Sequence, residues 1–178
     1  MRYMPKPHEP VMDLIRASMD PASRTARLRI DSPACRVVIA AARADAEEGG
    51  NSRVVTLATG TAVSATGLTM LLAEHRHVTT EVFIDHLEAA KHEMDPHGRS
   101  PDVTVVMRSL LTEHPMQESA RVLTDAFLQD QEGFCDLIVD LAEYAASAIK
   151  LLQQNKVATQ EQTLAELDGM LEEFVGTA

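Results

Sequence analysis

Residues 54–73 read VVTLATGTAVSATGLTMLLA, twenty positions without a charged side chain in a chain of 178 residues that is 24% charged. About 20 apolar residues are enough to cross a bilayer, and a helix apolar on every side is otherwise the centre of a globular core. Thr56, Thr59, Thr61, Thr66, Thr69, Ser64, Gly60 and Gly67 dilute the hydrophobicity, which makes a poor span on insertion scales. The stretch therefore reads as a buried central helix over 54–73, and no membrane association is expected. At about 100° per residue, Gly60, Ser64, Gly67 and Leu71 share one narrow face, where small side chains let a neighbouring backbone come close. Thr59, Ala62, Thr66, Thr69 and Ala73 fall on another face. Hydroxyls inside a helix bond to the carbonyl one turn back, so a threonine row serves packing; a hydroxyl-lined pocket is the alternative. The β-branched start, Arg53-Val-Val-Thr-Leu, also suits a short strand.

Outward from this run the chain reads as amphipathic helices, with starts and stops marked by caps. Upstream, His8–Asp20 forms a helix stopped by Pro21, and residues 22–32 a polar connection with extended structure at Ala26–Ile30. Ser32-Pro33 is an N-cap and first-turn proline. It opens a helix that reaches Glu48 and closes at Gly49-Gly50. Downstream, Thr79 or Thr80 with Glu81 opens a helix to Met94, ended by Asp95-Pro96-His97-Gly98. Ser100-Pro101-Asp102 starts another, which stops before Pro115. The next runs from Pro115 to Gln131 and ends at Gly133. A long helix over Phe134–Asn155 places Phe134, Leu137, Ile138, Leu141, Ala145, Ala148, Ile149 and Leu152 on one face, with Asp136, Asp140, Glu143 and Ser147 opposite. Thr159-x-x-Gln162 is a capping box for a last helix with the stripe Leu164, Leu167, Leu171 and Phe174. The expectation is an all-α bundle of about eight helices in one domain, 1–178.

A second pattern runs through the same residues. Val11 and Arg16 match Val103 and Arg108 at an offset of 92. Arg36-Val37, Ala41, Asp45 and Glu47 match Arg121-Val122, Ala126, Asp130 and Glu132 at an offset of 85. Ala62, Ala65, Leu71 and Leu72 match Ala142, Ala145, Leu151 and Leu152 at an offset of 80, as do Glu81, Leu87 and Glu93 with Glu161, Leu167 and Glu173. Two four-helix half-repeats, 8–97 and 101–176, would produce this, with 54–73 and 134–155 as their central helices. Amphipathic helices of Ala, Leu and Glu also match by composition alone.

Composition limits the function. Aromatic residues are only 3% of the chain, with no Trp, so Ala, Leu, Val and nine Met must fill the core. Cys35 and Cys135 lack metal-ligand spacing and read as buried, reduced thiols of a cytoplasmic protein. The N-terminus is polar and broken by Pro5, Pro7 and Pro10, unlike a signal peptide. The Arg-over-Lys bias and abundant alanine suggest a high-GC bacterial coding sequence. Net charge is −11: residues 1–53 carry nine Lys and Arg against seven Asp and Glu, and residues 54–178 carry seven against twenty. That acidic body disfavours nucleic acid. The one basic cluster, Arg24, Arg27 and Arg29, is better matched to the chain's own acidic body than to phosphates.

No nucleophile elbow, phosphate loop or recognition helix is present. One constellation has metal-ligand spacing. Glu81, Asp85, Glu88 and His92 fall within a wedge about 60° wide on their helix, with Phe83, Leu87, Ala90 and Met94 facing the core. Glu74 and His77 lie just before it in a Glu-x-x-His arrangement. Such a set can hold Zn, Mn or Fe, but a solvated acidic helix face has the same spacing. The function expected is therefore a non-enzymatic interaction or regulatory module, ligand-sensing if a pocket lies beside the threonine face. It would need no cofactor, would bind a basic protein partner, and would be a homodimer. Its partner surfaces would be Asp136, Asp140 and Glu143, and Glu166, Glu172 and Glu173. The alternative is a metal-binding helical protein or metal-dependent enzyme.

Overall fold

The computed structural model describes residues 4–94 and 103–176, and among them every regular element is a helix. The order is α1 (Glu9–Met19), α2 (Ala22–Thr25), a 3₁₀ turn (Arg29–Asp31), α3 (Pro33–Glu48), α4 (Ser52–His75), α5 (Thr80–Met94), α6 (Val103–Leu110), α7 (Pro115–Gln129), α8 (Gln131–Gln154) and α9 (Gln160–Gly176). The signals Asp95-Pro96-His97-Gly98 and Ser100-Pro101-Asp102 lie outside the described residues.

The caps explain where helices begin and end. Ser32 Oγ accepts the Cys35 N–H at 3.1 Å, and Gly49 closes α3 at φ +72°, where a β-carbon is unwelcome. Thr159 and Gln162 make both halves of the capping box: Gln162 N–H donates to Thr159 Oγ1 at 3.2 Å, and Thr159 N–H to Gln162 Oε1 at 2.9 Å.

One start left open is helical, and three further expectations change. Arg53–Leu57 is helix, because the Asp45 carboxylate accepts the Arg53 and Val54 N–H groups at 3.1 and 3.0 Å and caps α4. Ala26–Ile30 contains no strand and runs into the 3₁₀ turn. Gly133 does not end α7: it lies in the first turn of α8, where a β-carbon would come within 2.7 Å of the capping Asp130. Only the first half of α5 packs, through Phe83, Ile84 and Leu87; Ala90 and Met94 are exposed.

The central pair is α4 and α8, the two longest helices, packed against each other along the core. Burial of α4 follows from its neighbours, since α1, α3, α5, α6, α7, α8 and α9 all pack on it. It is the one helix among the described residues long and apolar enough to span a membrane by length and composition, and 61% of its most apolar window is buried in the bundle. Its hydroxyls turn inward on their own backbone. Thr61 donates to Leu57 O at 2.6 Å, Ser64 to Gly60 O at 2.8 Å, Thr66 to Ala62 O at 2.9 Å and Thr69 to Ala65 O at 2.7 Å. Each buried hydroxyl is thereby satisfied without a neighbouring helix having to supply an acceptor. The expected apolar face of α8 is buried from Phe134 to Leu152.

The matched offsets pair α1 with α6, α3 with α7, α4 with α8 and α5 with α9. Leu14 and Ile15 are buried as Val106 and Met107 are, and Val38 as Leu123 is. Leu57, Ala58, Ala62, Ala65 and Leu72 are buried as Leu137, Ile138, Ala142, Ala145 and Leu152 are. Asp130 caps α8 by accepting the Glu132 N–H at 3.1 Å, as Asp45 caps α4. The turn after each central helix has a left-handed residue, His77 at φ +56° and Lys156 at φ +57°. The packing pairs correspond too: α1 lies on α8 and α6 lies on α4, each on the central helix of the opposite half. The correspondence fails at Gly67 and Ser147. Gly67 faces Met170 of α9, whereas Ser147 points to solvent.

Candidate functional site

Three surfaces gather the residues with chemical character. The first lies where α5 meets α6. Asp85 and Glu88 project one turn apart toward Arg108, whose guanidinium grips Glu88 through two N–H groups at 3.1 and 3.0 Å and also donates to Asp85. This pairing holds the Glu88 carboxyl below its ordinary range. Glu81 and His92 are exposed at either end of the same wedge, Glu74 is exposed at the end of α4, and His77 is exposed in the turn. Among the described residues no three His, Cys, Asp or Glu side chains form a group able to hold a metal ion. The structure thus joins two of the six candidate ligands, and joins them to a cation.

The second surface is the polar stripe of α8. Arg29 reaches across from the 3₁₀ turn, donates to Asp140, and stands 4.0 Å from both Asp136 and Glu143. The three expected partner-facing acids therefore share the chain's own arginine. Burial pushes the Glu143 carboxyl up and Arg29 draws it back. Cys35 and Cys135 adjoin this cluster at the α3–α8 contact. They are free and half-buried rather than fully buried, and burial raises both thiols.

The third surface is a groove between α4 and α9, of about 370 Å³. Gly67, Met70 and Leu71 line it from α4, and Leu167 and Met170 from α9; Glu74 and Glu166 edge it. Gly67 has no side chain to fill the gap, and a β-carbon there would stand 3.1 Å from Met170 Sδ. Met70 is 51% exposed although it belongs to the most apolar helix. Among the described residues the groove's lining holds no cation, and Glu166 is the one residue in it that the sequence marked as a partner surface. Met70, Leu71 and Met170 escaped a sequence reading because α4 has no polar face to show which side is outward. The one available signal was a pair of methionines near a glycine in a chain poor in aromatics.

On another face of α9, the chain before α1 is clamped down. His8 is buried and its Nε2 lies 2.8 Å from Asp168 Oδ1, while Lys6 Nζ lies 3.3 Å from Asp168 and 3.2 Å from Glu172. The His8 hydrogen bond, with Lys6 beside it, holds the Asp168 carboxyl below its usual value. Asp168 stands at the position in α9 that Glu88 holds in α5, so each outer helix is tied by a carboxylate to its neighbouring α1 or α6 segment.

These features define an all-α bundle with an acid-edged apolar groove. No family model, curated protein or solved structure matches the chain.

Proposed function

We propose that this protein is a non-enzymatic helical interaction module whose α4–α9 groove takes an amphipathic helix with basic flanks from a protein partner. The observation that supports the reading is the groove itself: Met70, Leu71, Leu167 and Met170 form its floor, Glu74 and Glu166 its edges. Methionine-rich apolar grooves adapt to the knobs of an incoming helix, because the unbranched thioether side chain repacks easily. Acidic edges favour basic flanks, and the excess of twenty acidic over seven basic side chains across residues 54–178 adds a long-range attraction of the same sign. A cytoplasmic setting, where the two free thiols stay reduced, accompanies this reading.

The test is a designed amphipathic peptide with leucines at helical spacing and lysine flanks, titrated into protein labelled at its methionine methyl groups. The Met70 and Met170 signals should shift saturably. Met70→Glu should abolish the shift, and a peptide with the same leucines and glutamate flanks should bind at least tenfold more weakly at low salt. Equal binding of the two peptides, or shifts elsewhere that leave Met70 and Met170 unmoved, would refute the proposal.

A further inference from the structure

The two halves close their outer helix crossings differently. Where α1 crosses α4, Gly60 admits the Val11 side chain so closely that a β-carbon at Gly60 would stand 2.9 Å from Val11 Cγ1 and nearer still to Cγ2. Ser64, one turn on, is buried and bonded back to the Gly60 carbonyl. At the matching crossing of α6 on α8, Val103 takes the place of Val11, Asp140 that of Gly60, and Tyr144 that of Ser64. Two large side chains now stand where two small ones allowed contact. The helices border a cavity of about 330 Å³, open to solvent and lined by Leu87 and Lys91 of α5, Val103 and Thr104 of α6, and Asp140 and Tyr144 of α8.

The lining has a definite chemistry. Leu87, Val103 and the Tyr144 ring supply apolar wall. The two charged residues of the lining, Asp140 and Lys91, are of opposite sign, so the lining as a whole carries no net charge. Tyr144 reaches the threonine face of α4, with its hydroxyl 2.6 Å from Thr69 Oγ1. Thr69 has one hydroxyl proton, and the Ala65 carbonyl lies 2.7 Å away to accept it. Tyr144 then donates to Thr69, and its phenolic oxygen keeps a lone pair for a further donor. The volume falls at the small end of the range for ligand pockets, about 300–1,000 Å³.

We propose that the α5–α6–α8 cavity is a binding site for a small, uncharged, largely apolar molecule carrying one O–H or N–H donor. The site is separate from the α4–α9 groove, and neither proposal depends on the other.

Cyclohexanol is a suitable probe, with cyclohexanecarboxylate and cyclohexylammonium as charged counterparts of the same shape. Backbone and methyl resonances of the full chain are followed by NMR during titration. Cyclohexanol should shift Leu87, Val103, Thr104 and Tyr144 saturably, and both charged analogues should bind at least fivefold more weakly. Thr104→Met places in the cavity the residue found at the matching position of α1, Met12, and should abolish the shifts. If that variant does not fold, Leu87→Phe serves the same purpose by filling the cavity from α5. Linear, unsaturated shifts, saturable shifts confined to other residues, equal affinity for a charged analogue, or undiminished binding in a folded cavity-filled variant would each overturn the proposal.

Discussion

The central helices α4 and α8 have the same length, pack on each other and are capped by matching aspartates, yet one carries no charge from Val54 to Ala73 and the other keeps a polar stripe. The contrast lies in their neighbours. α4 is flanked by both outer helices, α5 and α9, whereas α5 makes its contacts with α4 and α6. A helix on which this many others pack has little room for a charge, since an unpaired buried charge would be prohibitively costly. A helix with one open side keeps Asp136, Asp140 and Glu143 there and answers them with Arg29. Two helices in matching positions thus diverge in composition because their surroundings differ.

The sharpest way to break the parallel is at the matching crossings. Gly60→Leu should cost about 3 kcal/mol or more, because the stiff Val11 side chain occupies the space its β-carbon needs. Asp140→Leu should cost less than about 1 kcal/mol, since it loses a partly exposed ion pair beside an existing cavity. Urea unfolding of both variants compares them directly, and equal costs would mean that the two crossings are alike.

The caps offer a smaller contrast. Asp45 is buried and accepts two backbone N–H groups, so Asp45→Ala should lower stability by about 2 kcal/mol, the upper end for a cap. Asp130 is exposed and accepts one, so Asp130→Ala should cost about 0.5–1 kcal/mol. Thermal melts of the pair, run side by side, rank them.

Much of this comparison was legible from sequence, for identifiable reasons. The absence of charge in 54–73 revealed the buried helix, and Ser32, Gly49 and the Thr159–Gln162 box marked boundaries by local chemistry that tertiary structure left intact. The back-bonded hydroxyls of α4 were also predictable, because a helix supplies the acceptor itself. What escaped depended on where elements meet. Periodicity placed Ala90 and Met94 on the inner face of α5, but the second half of that helix extends past the core. Gly133 reads as a stop signal, yet it sits where a side chain would collide with the Asp130 cap. The groove at Met70 and the cavity at Tyr144 arise between helices distant in sequence, so neither could be located from periodicity within one helix.

A weaker effect should appear with pH. Glu88 and Asp168, matched carboxylates on α5 and α9, both titrate below the ordinary carboxylate range in the folded protein. Their contribution is therefore present above the unfolded carboxylate pKa, about 4, and is lost as pH falls through the lower folded value. Both are partly exposed, so each should account for less than about 1 kcal/mol. Stability measured from pH 6 to pH 3 should fall less steeply in Glu88→Gln and Asp168→Asn, and by similar amounts. The smallest effect concerns metal. With Asp85 and Glu88 engaged by Arg108, neither chelator nor added Zn should move the melting temperature of untagged protein. A stabilisation by Zn that disappears in His92→Ala would revive the metal-binding alternative.

Native-state hydrogen exchange measures most directly whether α4 and α8 form one shared core. Amides in the middle of both helices, around Ala62–Leu68 and Ala142–Ala148, should exchange only by global unfolding, with the same free energy and the same dependence on denaturant. If either helix opened at a free energy several kcal/mol below the other, the two would not be partners in one cooperative core, and the comparison drawn between them would fail.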